Sequence, residues 1–198
     1  MVTWAKSRKT RRLRTPLLLS LCLLNLFFSF SSVATELTLG DTPAQVCFSP
    51  NMGCTEAIVR ELDGAKSEIL VQAYSFTSTP IAEALLAAHK RGVRVVAILD
   101  KSQRAARNAS AAFLADAGIP TYLDRGHAIA HNKIIIIIDR STLITGSFNF
   151  TKAAEEKNAE NLLILRSPQL AEIYVENWSG HMQHSEPFRR HYSEASSN

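Results

Sequence analysis

His131-Asn132-Lys133, Asp139, Gly146-Ser147-Phe148-Asn149 and Glu160 fall in one short stretch of the chain, and no comparable second set occurs elsewhere in it. Together they supply an imidazole, an ammonium, a hydroxyl, an amide and carboxylates, the groups needed to hold and attack a phosphodiester. In an extended strand the period of two turns His131 and Lys133 to the same face. A neutral imidazole can then attack phosphorus while the ammonium, a compact point charge, holds a non-bridging oxygen. Ser147 and Asn149 add neutral donors, and Gly146, ending the short strand Leu143-Ile144-Thr145, would let backbone approach a phosphate closely. Glu160 opens the apolar run Leu162 to Leu165, so its carboxylate could bind one imidazole nitrogen at the mouth of the sheet and leave the other free. Displacement through histidine also needs an acid for the leaving group, and a single set leaves that role unfilled within one chain.

A lone His-x-Lys arises by chance in many chains, and a Gly-Ser pair is commonly only a turn. In this order and spacing, however, the residues resemble the signature of the phospholipase D superfamily, His-x-Lys-Asp followed by Gly-Ser-x-Asn. Ala73-Tyr74-Ser75-Phe76-Thr77, Gly92-Val93-Arg94-Val95 and Lys157-Asn158-Ala159-Glu160-Asn161 extend the likeness to the small single-motif bacterial nucleases of that superfamily, from about Gln45 to Met182. The resemblance implies an α/β/α sandwich that dimerises so that two motifs meet in one site, and a phosphohistidine formed without metal or other cofactor. Carried over by position, His131 is the nucleophile, Lys133 and Asn149 bind phosphate, Ser147 supports the loop and Glu160 orients the histidine. The other subunit's His131 would be the acid. One departure concerns Asp139: five residues, Ile134 to Ile138, separate it from Lys133, where the family pattern has four. An added residue reverses the facing of whatever follows in a regular strand, so either a β-bulge in the isoleucine run or a displaced Asp139 is expected. Pairing of Asp139 with neighbouring turn donors competes with a catalytic role.

Around these residues the pattern alternates strands and helices. Gln45 to Phe48, Ser67 to Tyr74, Val93 to Leu99 and Ile119 to Leu123 read as strands, separated by helical spacing over 55–65, 79–91 and 104–117. Thr55 is a candidate cap for the first helix. Pro80 suits a helix's first turn and Gly92 its end. Lys133 to Ile138, Leu143 to Thr145 and Asn161 to Leu165 follow with short connections, and 168–184 closes as a helix with Leu170, Ile173, Tyr174 and Trp178 on one stripe. The expected architecture is α/β, an α/β/α sandwich with a mixed, largely parallel sheet.

The first 34 residues contain six Lys and Arg and no acid, then an apolar stretch, Leu17 to Phe30, and the small residues Ser32-Val33-Ala34. That is the form of a secretory signal peptide cut after Ala34. The expected organisation is therefore 1–34 leader, 35–44 linker, 45–185 phosphodiesterase domain and 186–198 polar tail. The protein would be exported, periplasmic or secreted, unless 17–30 stays as a membrane anchor. The whole chain has 22 Lys and Arg against 18 Asp and Glu; taking away the six leading cations leaves 16 against 18, a net charge of −2. Nucleic-acid affinity must then come from a local patch, for which Lys90, Arg91, Arg94, Lys101, Arg104 and Arg107 are candidates, although solvated helix ends and loop charges account better for most of them taken singly. Cys47 and Cys54 bracket a Pro-Asn-Gly loop and read as a short disulfide in an oxidising compartment. His127 and His131, four apart, would form a metal pair only on a helix, which the flanking isoleucines oppose. His181, His184 and His191 read as an exposed scatter, so no metal is expected. A phosphodiesterase acting on DNA, and on RNA too, is the leading expectation. Phospholipid headgroup hydrolysis and a non-catalytic envelope module that binds nucleic acid are the rivals.

Overall fold

Ile134 to Ile138 decide how the molecule is layered. Four of the five isoleucines are at most 4% exposed, because successive side chains of one strand enter two different cores. Ile135 and Ile137 pack with Ile69, Val71, Leu99 and Ile144 on one face, while Ile134 and Ile136 pack with Leu70, Val96, Leu143 and Trp178 on the other. Each buried isoleucine contributes about 1.5–3 kcal/mol of transfer free energy. The register of this strand is therefore strongly fixed, since a one-residue slip would exchange the two faces.

The computed structural model describes residues 34–104 and 110–189. The chain divides by contacts after Leu37, and the unit beginning at Thr38 holds the sheet. Its elements are β1 (Ala44–Ser49), α1 (Cys54–Asp63), β2 (Glu68–Ala73), α2 (Thr79–Lys90), β3 (Arg94–Asp100), α3 (Ser110–Asp116), β4 (Thr121–Asp124), β5 (Lys133–Ile137), β6 (Thr142–Gly146), α4 (Lys152–Glu156), β7 (Glu160–Arg166), α5 (Pro168–Gln183) and β8 (Ser185–Pro187). They form an eight-stranded sheet in the order β1-β7-β6-β5-β2-β3-β4-β8. The mixed α/β sandwich is as expected, but the sheet is not largely parallel: five of its seven strand pairings are antiparallel. Its parallel part is confined to β2, β3 and β4, where helices make the crossovers. The short connections after β4 produce antiparallel pairings on the other side.

Among the described residues α5 is the one helix on its face of the sheet, where the Trp178 indole N–H donates to the Val71 carbonyl at 3.0 Å. Ser167 caps it through the Leu170 amide. α1 does not take Thr55 as its cap. Gly53, in the left-handed conformation, precedes it, and Glu155 of α4 accepts from the Gly53 and Thr55 amides at 3.0 and 2.7 Å. A carboxylate a hundred residues away in sequence thus stands at the helix N-terminus, where the macrodipole favours it. Cys47 and Cys54 are joined as a disulfide with a Cα separation of 5.6 Å. The expected helix over 104–117 is replaced by a 3-10 turn, Lys101–Arg104, and α3; 105–109, with Arg107, lie outside the described residues. The expected tail begins as structure, because β8 pairs with β4 and the Phe188 amide donates to Thr121. The leader, apart from Ala34, and His191 also lie outside the described residues. Among the described residues no helix is long and apolar enough to cross a membrane.

Candidate active site

The carboxyl ends of β2 and β6 and the amino ends of β5 and β7 meet at one edge of the sheet, the usual place for a ligand in such folds. Ala73 pairs with Lys133 in the ladder, and the Tyr74 amide continues it to the Asn132 carbonyl at 2.9 Å. His131 therefore leaves the sheet beside Tyr74. Their rings stand 4.5 Å apart. The Lys133 ammonium lies 3.0 Å from His131 Nδ1 and 2.6 Å from the His131 carbonyl oxygen, over the Tyr74 ring at 5.3 Å. Lys133 is only 6% exposed. Burial lowers its pKa from the ordinary 10.5, and the charge of nearby Glu160 partly opposes that shift.

The loop entering His131 is pinned from behind by a residue the sequence did not single out. Asp100, 3% exposed at the end of β3, accepts from the Ala130 amide at 2.8 Å and the Ser102 amide at 2.9 Å. Burial alone would raise its pKa, but those hydrogen bonds outweigh burial and hold it below 3.8. The sequence signal was a carboxylate closing an otherwise apolar strand.

Across the edge, Ser147 Oγ donates to Glu160 at 2.6 Å and accepts from the Asn161 amide at 3.0 Å. Asn158 donates to the other Glu160 oxygen at 3.1 Å. Gly146 also lets the strands approach at this junction: at φ 153°, a Cβ there would overlap the Asn161 carbonyl oxygen. Buried Phe148 and Phe150 anchor the loop. The Thr77 and Ser78 amides both donate to the Phe150 carbonyl at 2.9 Å, and Phe76 and Phe150 meet edge to face. The Asn149 amide oxygen is buried without a partner. One end of this amide is therefore unsatisfied beside the site.

The structure thus brings His131 and Lys133 into contact, with Glu160 close enough to Lys133 to act through its charge, and places Ser147 on Glu160. Among the described residues no hydrogen bond joins Glu160 to His131. Asp139 is not brought to this edge. β5 runs from Lys133 to Ile137 with unbroken pairing on both sides, so the extra residue makes no bulge. It carries Asp139 into a 3-10 turn at the far end, roughly 20 Å away along the strand. There its carboxylate accepts from the Lys66 and Ser67 amides and the Ser67 hydroxyl at 3.1–3.3 Å. The proposed basic patch is divided too. Arg94 pairs with Glu68 and Arg91 with the Leu62 carbonyl at one end of the sheet. Lys101 holds the His127 carbonyl at the other.

A histidine beside a buried lysine, facing neutral donors across a sheet edge, defines a site for oxyanion and phosphoester chemistry. Residues 58–182 match the family model described as cardiolipin synthase, PLD-like domain. A protein named phospholipase D from Rickettsia typhi is 45% identical over 132 residues, covering 67% of this chain and 64% of its own. A mitochondrial cardiolipin hydrolase from Canis lupus familiaris is 29% identical over 163 residues, covering 77% of this chain and 63% of its own. The chain thus spans a little under two thirds of either relative. The crystal structure of a phospholipase D family member, Nuc, from Salmonella typhimurium superposes with a TM-score of 0.71 at 40% identity. It covers 75% of this chain and 99% of its own. The chain belongs to the phospholipase D superfamily.

Proposed function

We propose that this protein is an exported, metal-independent phosphodiesterase that hydrolyses nucleic acid, DNA first, as a homodimer with one shared site. The observation that carries this reading is the His131–Lys133 pair, 3.0 Å apart at the sheet edge. While the ammonium donates to Nδ1, the proton of the neutral ring sits on Nε2, so the pair as it stands is a resting arrangement. A phosphate drawing the ammonium onto its own oxygens would free Nδ1 to take the proton. Nε2 would then be open to attack phosphorus in line. The phosphorus–nitrogen bond forms as the ester bond breaks, and the leaving oxygen takes a proton from the partner subunit's His131. That imidazole then removes a proton from water, whose oxygen displaces Nε2.

A second copy is supported by the surface beside the site. On β1, Cys47 and Ser49 point inward while Val46 and Phe48 are 54% and 56% exposed. Ser49 and Phe48 pair with Glu160 and Asn161, so this uncovered apolar strip adjoins the reacting edge. Covered by its two-fold mate, it would place two His131 rings near one phosphate. The Cys47–Cys54 disulfide and the N-terminal leader pattern support export.

What favours nucleic acid over lipid is the likeness to the Salmonella protein. The matched Salmonella protein is spanned almost entirely, and the described residues add no insertion to receive acyl chains. The second reading, a phospholipid headgroup, is favoured by Ile129, 59% exposed two residues before His131. It is also favoured by the names of the Rickettsia and canine relatives. Plasmid DNA and phosphatidylcholine vesicles assayed in parallel with EDTA present separate the two. DNA cleavage is expected, lipid turnover alone would replace nucleic acid by lipid, and dependence on added divalent ions would overturn both. Mixing wild-type protein with an equal amount of His131→Asn at fixed total concentration, then exchanging subunits, tests the shared site: activity falls to roughly a quarter of that of all-wild-type protein if both rings are needed, and to half if each chain acts alone.

A further inference from the structure

Asp124 ends β4 at 1% exposure, and three histidines that the sequence left scattered converge on it. His181 Nδ1 lies 2.7 Å, His127 Nδ1 3.2 Å and His184 Nε2 3.4 Å from Asp124 Oδ2. One ligand atom from each of the four residues lies within 4.8 Å of every other. The other carboxylate oxygen is already engaged by the Gly126 and His127 amides at 3.0 and 3.2 Å. His127 Nδ1 is also 3.2 Å from that oxygen, so two carboxylate oxygens with four lone pairs face two amides and three ring nitrogens, more donors than they can accept. The rings also crowd each other, with centroids 4.7, 4.9 and 5.4 Å apart. Three imidazolium charges at that spacing would repel, so protonation alone is a poor reason to gather them.

We propose that Asp124, His127, His181 and His184 form a Zn²⁺ site that fastens the loop leading to His131 onto the end of α5. Three imidazoles and one carboxylate are a donor set zinc takes in four-coordinate geometry. With bonds of about 2.0–2.2 Å, tetrahedral donors stand roughly 3.3–3.6 Å apart; here the three ring nitrogens stand 2.7–3.4 Å from Asp124 Oδ2 and no two ligand atoms are more than 4.8 Å apart, so a small adjustment admits the ion. Two further features are built for it. Gly126 makes room for a ligand ring, since a Cβ there would meet the His184 ring at 2.5–2.9 Å. The carbonyls of two ligand residues are held in place, His127 by Lys101 and His181 by the Ser185 hydroxyl, each at 2.8 Å. Four protein ligands close the coordination shell, so the ion holds structure rather than activating water. Its effect on the reacting edge is positional. His127 precedes His131 by four residues, and between them the Ala130 amide is fixed by Asp100.

The purified protein, stripped by a chelator and returned to chelator-free buffer, is titrated with zinc chloride by calorimetry and checked by elemental analysis. One Zn²⁺ per chain is expected, with a melting temperature several degrees higher in the metal-bound form. The double variant H181A/H184A, shown folded by circular dichroism, should bind at least about a hundredfold more weakly. G126A, which displaces the His184 ring without removing a ligand, should also weaken uptake. Zinc uptake unchanged in the double variant, or no uptake by the native protein, overturns the site. So does stability that follows pH through the histidine range without responding to zinc. The result stands apart from the metal-free chemistry proposed above: phosphodiester hydrolysis by folded, zinc-stripped protein below its melting temperature supports that chemistry whether or not zinc binds, and the stoichiometry is read without any substrate.

Discussion

The two ends of β5 carry charge in opposite ways. At the far end Asp139 is surrounded by donors, and Glu61, 6% exposed, is held by Arg166 at 2.5 Å and Arg140 at 3.2 Å. Buried Glu61 is thus paired with two guanidinium groups, as burial requires, and Asp139 is held by neutral donors. At the near end Lys133 is buried against the His131 ring nitrogen and carbonyl, and the Glu160 carboxylate acts on it through its charge. The Asn149 amide across the edge is incompletely bonded. The far end is balanced by two ion pairs, with only Glu61 Oε2 lacking a hydrogen bond, whereas the near end holds a buried ammonium suited to an anionic substrate. The same strand therefore separates stability from reactivity, and substitutions at its two ends should separate them too.

The sharpest break comes from His131→Asn. The side chain is exposed, so folding should change by no more than about 0.5 kcal/mol. Turnover should fall by at least about 10⁴-fold, because no other group among the described residues replaces the nucleophile. Acid-quenched reactions with labelled substrate should trap phosphorus on the wild-type protein and none on the variant. Trapping on the variant would remove His131 from the centre of the scheme.

Lys133→Met comes next, with a loss of about a hundredfold or more in kcat/KM and, unlike most core substitutions, no loss of stability. The sign follows from burial. The folded-state pKa of Lys133 lies below the unfolded 10.5, so at neutral pH folding carries the cost of a desolvated ammonium, and that cost fades as pH rises through the folded value. Removing the ammonium should leave the melting temperature unchanged or higher. The alkaline limb of kcat/KM should fall below pH 10.5 as Lys133 loses its proton, and Lys133→Arg, which stays charged, should abolish that limb even if the guanidinium fits the phosphate less well.

The contrast also explains what could be read from the chain. The reacting edge was legible because its groups are close in sequence: His-x-Lys is a local pattern, and the isoleucine run announces a strand buried on both faces. The extra residue before Asp139 signalled a break in the pattern, and an unbulged β5 resolves it as displacement. Features joined across long separations were not legible. Glu155 reaches α1 across a hundred positions, and His181 and His184 meet Asp124 across 57 and 60. A helix places residues three apart on one face, so His181-x-x-His184 was the one available hint. β8 was hidden for another reason: three residues, Ser-Glu-Pro, carry no strand pattern, and pairing with β4 alone makes them one.

The smallest effect is expected from Asp139→Asn. Burial would raise the Asp139 pKa, but the Ser67 and Lys66 hydrogen bonds outweigh it and hold the carboxyl below 3.8. A depressed folded value contributes stability that is present above the unfolded pKa and lost as pH falls through the folded one. The group is exposed, so water screens most of this contribution, leaving about 1 kcal/mol at neutral pH. The variant should therefore melt slightly lower than wild type at pH 7, converge with it in the acid range below pH 4, and hydrolyse its substrate at an unchanged rate throughout. A rate loss comparable to that of Lys133→Met would mean that the far end of β5 is coupled to the reacting edge through the strand itself, and the division of labour drawn from its two ends would fail.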